Sequence, residues 1–283
     1  MAKLKDLTMM NELAGISFEQ LDDVVDLVNK LYGFSFEGYS RASLKRRVSR
    51  IMTLYNLDLF DLKALLVNNK DFFEDFLMEV TVNVTEMFRD PDFFKAVRQE
   101  VLPYLASFQR IKVWNAGCST GEEVYSYSIM LEEENLYKRS FLYGTDINTS
   151  VLNTAKKGIY DLKKMKLYTE NYQAAGGKHS LSEYYVARYD AASIQSQLKK
   201  NMLFSVHNLV SDGVFNEFQL ISCRNVLIYF NTELQEKVIK LFYDSLCPLG
   251  FLCLGSREIL RGDEIAGRFR AVDKDENIYQ KIA

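Results

Sequence analysis

Val113-Trp-Asn-Ala-Gly-Cys-Ser-Thr-Gly-Glu-Glu-Val-Tyr-Ser126 is the stretch whose reading decides the fold. Val113 and Trp114 are strand formers, while Gly117 and Gly121 permit positive φ and close approach of backbone to a ligand. Ser119 or Thr120 can cap a helix running from about Gly121 to Glu133. Strand, glycine turn and helix in that order put the turn at the carboxyl end of the strand, where open α/β sheets bind ligands. The turn lacks the Gly-Lys-Ser/Thr ending of a phosphate loop and the spacing of a dinucleotide fingerprint. Glu122 and Glu123 would also repel a polyanion from the helix start. A ligand that is cationic or rich in hydroxyls suits the loop better, although such a turn can also simply join strand to helix.

Working outward, Phe141-Leu-Tyr-Gly-Thr-Asp146 is a second apolar strand ending in an acid, the place for a ribose-binding carboxylate. A third, Leu220-Ile-Ser-Cys-Arg-Asn-Val-Leu-Ile-Tyr-Phe230, runs into an Arg-Asn turn. Strands near 111–116, 141–146, 218–223 and 250–255 alternate with helices at 149–157 and 231–246, which predicts a mostly parallel sheet with covering helices. The tail from Phe269 reads as a hairpin with a polar turn.

Ahead of the sheet, about Ser17 to Met87 reads as all-helical, with Leu21, Val24, Val25, Leu27, Val28 and Leu31 in one stripe and Leu44, Val48, Ile51 and Tyr55 in another. Pro91 and Pro103 bracket a further helix, Asp92 to Val101. Between the second and third sheet strands lies a long stretch, 158–206, in which Glu183–Tyr189, Ser193–Leu198 and Met202–Val206 are strand-like. A small antiparallel insert at about 180–206 is expected. The domain expectation is thus 1–88 helical, 89–107 linker helix and 108–283 α/β.

The chain has 283 residues, 48% hydrophobic and 13% aromatic, enough for one large domain and a small one. No apolar run approaches the roughly 18 to 20 residues of a membrane span, and the start, with Lys3, Lys5 and Asp6, has no signal-peptide core. A cytoplasmic protein without membrane insertion is expected. Cys118, Cys223, Cys247 and Cys253 have no metal-ligand spacing and read as small buried residues, so no metal is expected. A net charge of −3 disfavours nucleic acid as a partner.

Trp114-Asn-Ala-Gly-Cys-Ser-Thr-Gly-Glu-Glu123, Gly144-Thr-Asp-Ile147 and Cys223-Arg-Asn-Val-Leu-Ile-Tyr-Phe230 together resemble the CheR family of chemotaxis methyltransferases. Asn83-Val-Thr-Glu-Met-Phe-Arg89, close to that family's Asn-x-Thr-x-Phe-Phe-Arg, extends the resemblance to nearly the whole chain. The resemblance implies a class I methyltransferase: a doubly wound, mostly parallel sheet with a C-terminal antiparallel hairpin, a small antiparallel insert and an all-helical N-terminal domain. It implies S-adenosylmethionine as cofactor, S-adenosylhomocysteine as product, and methylation of glutamates in the cytoplasmic helical region of chemoreceptors. The alternatives are a non-catalytic signalling module that binds the same cofactor, and a methyltransferase for nucleic acid or a small molecule.

Such a cofactor carries a sulfonium, a ribose diol, an amino acid end and an adenine. Asp146 suits the diol, and Glu123 the cationic amino acid end or the sulfonium side. By the resemblance, Asn208 and Leu209 match positions that hold adenine, Asn225 and Val226 lie beside the methionine portion, and Asn83, Thr85 and Arg89 close over the cofactor. Asn83 and Thr85 equally fit capping of a helix over Glu86 to Phe94. Arg89 and Tyr229 are the catalytic candidates, orienting the substrate carboxylate, while Arg224 also fits a structural role.

Arg41-Ala-Ser-Leu-Lys-Arg-Arg-Val-Ser-Arg50 holds five basic residues and no acid. With Leu44, Val48 and Ile51 inward on a helix at about 41–55, Arg46 and Arg50 point outward at i,i+4 spacing. The family uses the corresponding helix against acidic receptor helices, so the resemblance implies substrate binding by Arg46 and Arg50. Its insert can also dock a receptor-tail pentapeptide through a glycine-bearing turn. Here the turn reads Asp190-Ala-Ala-Ser193, without glycine, and no such docking is expected. A monomer is expected.

Overall fold

A computed structural model describes residues 15–81 and 83–282. Lys3, Lys5 and Asp6 therefore lie outside the described residues, as does the first part of the expected N-terminal domain. Two compact units make up the chain: Met1–Val82 with Tyr229–Asn231, and Asn83–Ile228 with Thr232–Ala283.

The first unit is helical. α1 (Phe18–Tyr32) starts at a capping box, in which Gln20 N–H donates to Ser17 Oγ and Ser17 N–H to Gln20 Oε1, and ends at Gly33 with φ 66. α2 (Arg41–Tyr55), α3 (Leu59–Asn68) and α4 (Lys70–Thr81) follow. Leu21, Val24 and Val28 from α1, Leu44, Val48 and Ile51 from α2, and Phe72, Phe76, Leu77 and Val80 from α4 are buried together with Leu62 and Leu66. The two stripes are narrower than expected. Val25 and Leu27 are half-buried, and Leu31 and Tyr55 are exposed, because each lies at the margin of its helix's apolar face.

In the second unit the helix over Glu86 to Phe94 that Asn83 and Thr85 could equally have capped does not form. Residues 83–90 run as an irregular strap in which Phe88 and Asp90 take φ 53 and φ 57. Left-handed φ at two non-glycine residues cannot continue a helix. α5 (Pro91–Ala96) begins only at the proline, then widens into a π-helical turn, Val97–Val101, before a last turn, Leu102–Leu105. Pro103 has no N–H to donate back along the helix, which accounts for the local change of pitch.

The central sheet has seven strands in the order β6-β2-β1-β7-β8-β10-β9. They are β1 (Ile111–Ala116), β2 (Ser140–Asp146), β6 (Met202–Val206), β7 (Phe218–Cys223), β8 (Leu246–Leu254), β9 (Phe269–Asp273) and β10 (Ile278–Lys281). The first five are parallel, and β10 runs antiparallel to both β8 and β9, giving the terminal hairpin. α6 (Glu122–Glu133) and α7 (Thr149–Lys157) pack on β2, and α9 (Thr232–Ser245) on β8. Trp114 is fully buried, and its indole N–H is satisfied by Thr145 Oγ1 at 2.8 Å. β1 lies between β2 and β7, so the direction of chain progression reverses beside it and opens a crevice at the strands' carboxyl ends.

The insert is a three-stranded antiparallel sheet, β3 (Ile159–Asp161), β5 (Ala191–Ile194) and β4 (Tyr185–Arg188), in the order β3-β5-β4, crossed by α8 (Met165–Ala174) in sequence. Three details differ from the expectation. Met202–Val206 belongs to the central sheet, paired with β2, because a short alternating strand does not encode which sheet it joins. The strand-like run after Ser193 ends at Ile194 and becomes a 3-10 turn over Ser196–Lys199. The β4–β5 turn is Tyr189-Asp190, with Tyr189 at φ 51 supplying the bend read as a later, four-residue turn.

Candidate active site

Three strand ends come together in the crevice. After β1 the chain turns sharply, and the N–H groups of Gly117 and Cys118 both donate to Thr145 O at 2.8 Å, tying the loop to the end of β2. Gly117 has φ 73, and a Cβ there would overlap Val226 Cγ2 of the β7 turn, so only glycine lets loop and turn touch. Gly121, with φ 90, likewise abuts Ala155 of α7.

Asp146 is buried at the end of β2. Its carboxylate accepts Ser119 N–H at 2.9 Å and Asn148 N–H at 3.0 Å, which leaves lone pairs for a ligand. Burial pushes its carboxyl above the usual carboxylate range, against the pull of the Asn148, Ser119 and Ile147 N–H groups. His207 N–H donates to Asp146 O at 3.2 Å and brings the end of β6 alongside. There Asn208 forms an Asx turn, its Oδ1 accepting Val210 N–H at 2.9 Å, and Leu209 is buried.

Glu122 and Glu123 are adjacent but serve different neighbours. Glu122 is fully buried, accepting the Thr120 and Tyr168 hydroxyls at 2.6 and 3.2 Å. Glu123 Oε1 accepts Ser222 Oγ at 2.6 Å and Asn115 Nδ2 at 3.1 Å, and its Oε2 pairs with Arg224 at 3.1 Å. Arg224 is the hub of this region: it also pairs with Asp90 at 2.7 Å, donates to Arg89 O at 3.3 Å, and lies 3.8 Å over the ring of Phe93. Its guanidinium thereby joins α6, the β7 turn and the 83–90 strap. Within the strap, Arg89 Nη1 donates to Val84 O at 2.9 Å, and Asn83 and Thr85 are half-buried.

Asn225 has φ 62, and the turn it opens is held by Glu258, a buried residue after β8. Glu258 accepts the N–H groups of Asn225, Val226, Leu227 and Gly255. Burial raises its carboxyl above the usual range while those four N–H groups oppose the rise. Nothing local in the sequence marks Glu258, Asp90 or Asn115, whose contacts are made across the fold.

Tyr229, Arg46 and Arg50 fall in the helical unit. The Arg47 guanidinium lies 4.6 Å over the Tyr229 ring, and Tyr229 O accepts Ser40 N–H at 2.8 Å. Arg46 and Arg50 are both exposed on α2, and Arg50 sits 3.7 Å from Glu79.

The crevice suits a ligand with hydroxyls and amines. Asn115 Oδ1, Ser119 Oγ and Asn148 Nδ2 are buried there without a hydrogen-bond partner among the described residues, so polar capacity remains to be filled. Among the described residues no three His, Cys, Asp or Glu are grouped to hold a metal ion, and no helix is long and apolar enough to cross a membrane. All four cysteines are buried and unpaired.

Comparison with known proteins agrees with this geometry. Residues 19–81 match the all-alpha domain of CheR methyltransferase, and residues 83–278 match its SAM binding domain. The chain is 45% identical over 259 residues to the Pseudomonas putida protein carrying the name Cher3, covering 91% of this chain and 95% of that one. It is 30% identical over 281 residues to chemotaxis protein methyltransferase 1 of Vibrio cholerae, covering 94% and 98%. With the chemotaxis protein methyltransferase of Listeria monocytogenes it shares 29% over 235 residues, covering 82% and 87%. The cofactor is S-adenosylmethionine, and the chain belongs to the CheR methyltransferase family.

Proposed function

We propose that this chain transfers the methyl group of S-adenosylmethionine to glutamate side-chain carboxylates of chemoreceptors, leaving glutamate methyl esters and S-adenosylhomocysteine. The observation that carries the reading is the convergence of the Gly117 loop, Asp146 and the Asn225–Val226 turn at neighbouring strand ends beside the Arg89 strap. The names of the Vibrio and Listeria relatives add the chemotactic context.

Bound in the crevice, the cofactor supplies an electrophilic methyl group on a cationic sulfur. Asp146 takes the ribose diol, Asn208 and Leu209 flank the adenine, and Asn225 and Val226 hold the methionine portion. Glu123 faces the cationic end, with Arg224 fixing its carboxylate in place. Asn83, Thr85 and Arg89 close over the cofactor from the strap.

A glutamate side chain ordinarily titrates near pH ~4.3, so at neutral pH it is ionised and needs no base to attack. The chain's task is to orient that carboxylate and exclude water. Arg89 has donors beyond the one given to Val84 O, and a guanidinium can fork onto a carboxylate. Arg46 and Arg50 meet the acidic receptor helix, where charge complementarity speeds encounter. Docking of a receptor-tail pentapeptide has no part in this reading, because the Tyr189-Asp190 turn of the insert carries no glycine.

Incubation with methyl-labelled cofactor and membranes bearing chemoreceptors tests the proposal. Base-labile label on receptor-sized bands is expected. Label confined to nucleic acid or small molecules, or no transfer at all, would contradict it.

A further inference from the structure

We propose that Glu258 is a positioning residue for the cofactor: its carboxylate shapes the Asn225–Leu227 turn and so sets where Asn225 and Val226 meet the methionine portion. The inference rests on the assignment of those two residues to that portion. Glu258 is only 4% exposed, and its role requires no contact with cofactor or substrate. Its Oε2 accepts Asn225 N–H at 3.0 Å and Gly255 N–H at 2.5 Å, and its Oε1 accepts Val226 and Leu227 N–H at 2.7 Å each.

Successive backbone N–H groups turned toward one point form a nest that calls for an anion. Here the chain fills its own nest. Without the carboxylate, N–H dipoles of three consecutive residues would face one another unpaired in a largely buried place, and the turn would open to find other partners. Asn225 already sits at φ 62, a conformation that opposes the turn unless its surroundings over-determine it. The charged bonds from Glu258 supply that constraint. Val226 comes next, packed where a side chain on Gly117 would stand, so a shift of the turn passes directly to the β1 loop. Asn277 Nδ2 fixes the other side, donating to Gly255 O at 3.0 Å and Glu258 O at 3.2 Å, and so the position of the carboxylate is set from the β10 side of the sheet.

Glutamine is the same size but presents an NH2 group where two N–H donors point. Aspartate keeps the charge and withdraws it by one methylene. Full-length variants are titrated calorimetrically with S-adenosylhomocysteine, and steady-state rates are taken against S-adenosylmethionine. Glu258→Gln is expected to weaken S-adenosylhomocysteine about tenfold or more and to raise KM for the cofactor in step, with kcat at saturating cofactor retained. Glu258→Asp should recover part of the affinity. Gly255→Ala gives an independent perturbation, since its methyl would stand 2.8 Å from both Asn225 N and Glu258 Oε2, and it should show the same signature with the charge intact.

Asn225→Ala, measured in parallel, separates the two levels of the argument. Unchanged affinity in Asn225→Ala removes the turn from the cofactor site and the inference with it. Weakened binding in Asn225→Ala beside wild-type affinity in folded Glu258→Gln overturns the positioning role alone. A fall in kcat with KM unaltered, the pattern of a smaller folded fraction, overturns it as well. If Glu258→Gln does not fold, Gly255→Ala decides: weakened binding supports the role and wild-type binding overturns it.

Discussion

Both oxygens of Asp146 are engaged by main-chain N–H groups, from Ser119 on one side and Asn148 on the other. The same carboxylate therefore organises the loop and, in the proposed function, takes the ribose diol. Asp146→Ala should weaken S-adenosylmethionine and S-adenosylhomocysteine together, since they share the ribose, by about 1.5 to 3 kcal/mol for loss of a charge-assisted bond. Calorimetry that finds both affinities unchanged would remove Asp146 from the site. The raised pKa adds a pH dependence of definite sign. In the proposed function the ionised form accepts the diol, and in the free protein the protonated form persists to higher pH than for an ordinary aspartate. Affinity should thus fall as pH drops through a range above the usual carboxylate value. The Asp146→Ala variant should lack that fall, and a wild-type profile flat into acid would contradict the assignment.

At the scale of elements, the strap, α6 and the β7 turn meet at Arg224. Removing one partner of a buried ion pair strands the other, so Arg224→Ala should destabilise the protein by about 3 to 5 kcal/mol in denaturant unfolding. Arg224→Lys should recover little of this, since an ammonium cannot fork between Glu123 and Asp90 while stacking on Phe93. A loss under about 1 kcal/mol for Arg224→Ala would mean that the hub is merely a surface pair. Much at this scale is legible in the sequence. The strands at Ile111–Ala116, Ser140–Asp146 and Phe218–Cys223 are apolar runs ended by glycine, acid or Arg-Asn, and their positions follow from that local pattern. Partner choice is not local, which is why the alternation of Met202–Val206 points to the insert while the strand lies beside β2. The 83–90 strap carries capping residues but no helix, because left-handed Phe88 and Asp90 are held by contacts far away in sequence, Ser126 Oγ on Phe88 N–H and Arg224 on Asp90. Glu258 is illegible for the same reason, its bonds to Asn225, Val226 and Leu227 spanning residues with no shared local pattern.

For the whole molecule, the proposed cofactor contacts and the receptor-helix contacts of Arg46 and Arg50 belong to different units, and their effects should separate. Arg46→Glu with Arg50→Glu reverses two exposed charges on α2, in the helical unit. Receptor methylation should slow severely while S-adenosylhomocysteine affinity, read by calorimetry, stays at the wild-type value. Wild-type methylation should also decline with added salt, because exposed charges are screened over a Debye length of about 8 Å at physiological ionic strength. Full activity of the doubly reversed variant would place receptor binding elsewhere. The most direct measurement is tandem mass spectrometry of a purified chemoreceptor cytoplasmic fragment after incubation with this protein and S-adenosylmethionine. Methyl esters on glutamate side chains of the helical region, absent without cofactor, are the predicted result; a receptor that remains unmodified, or that is methylated only on other residue types, would contradict the account.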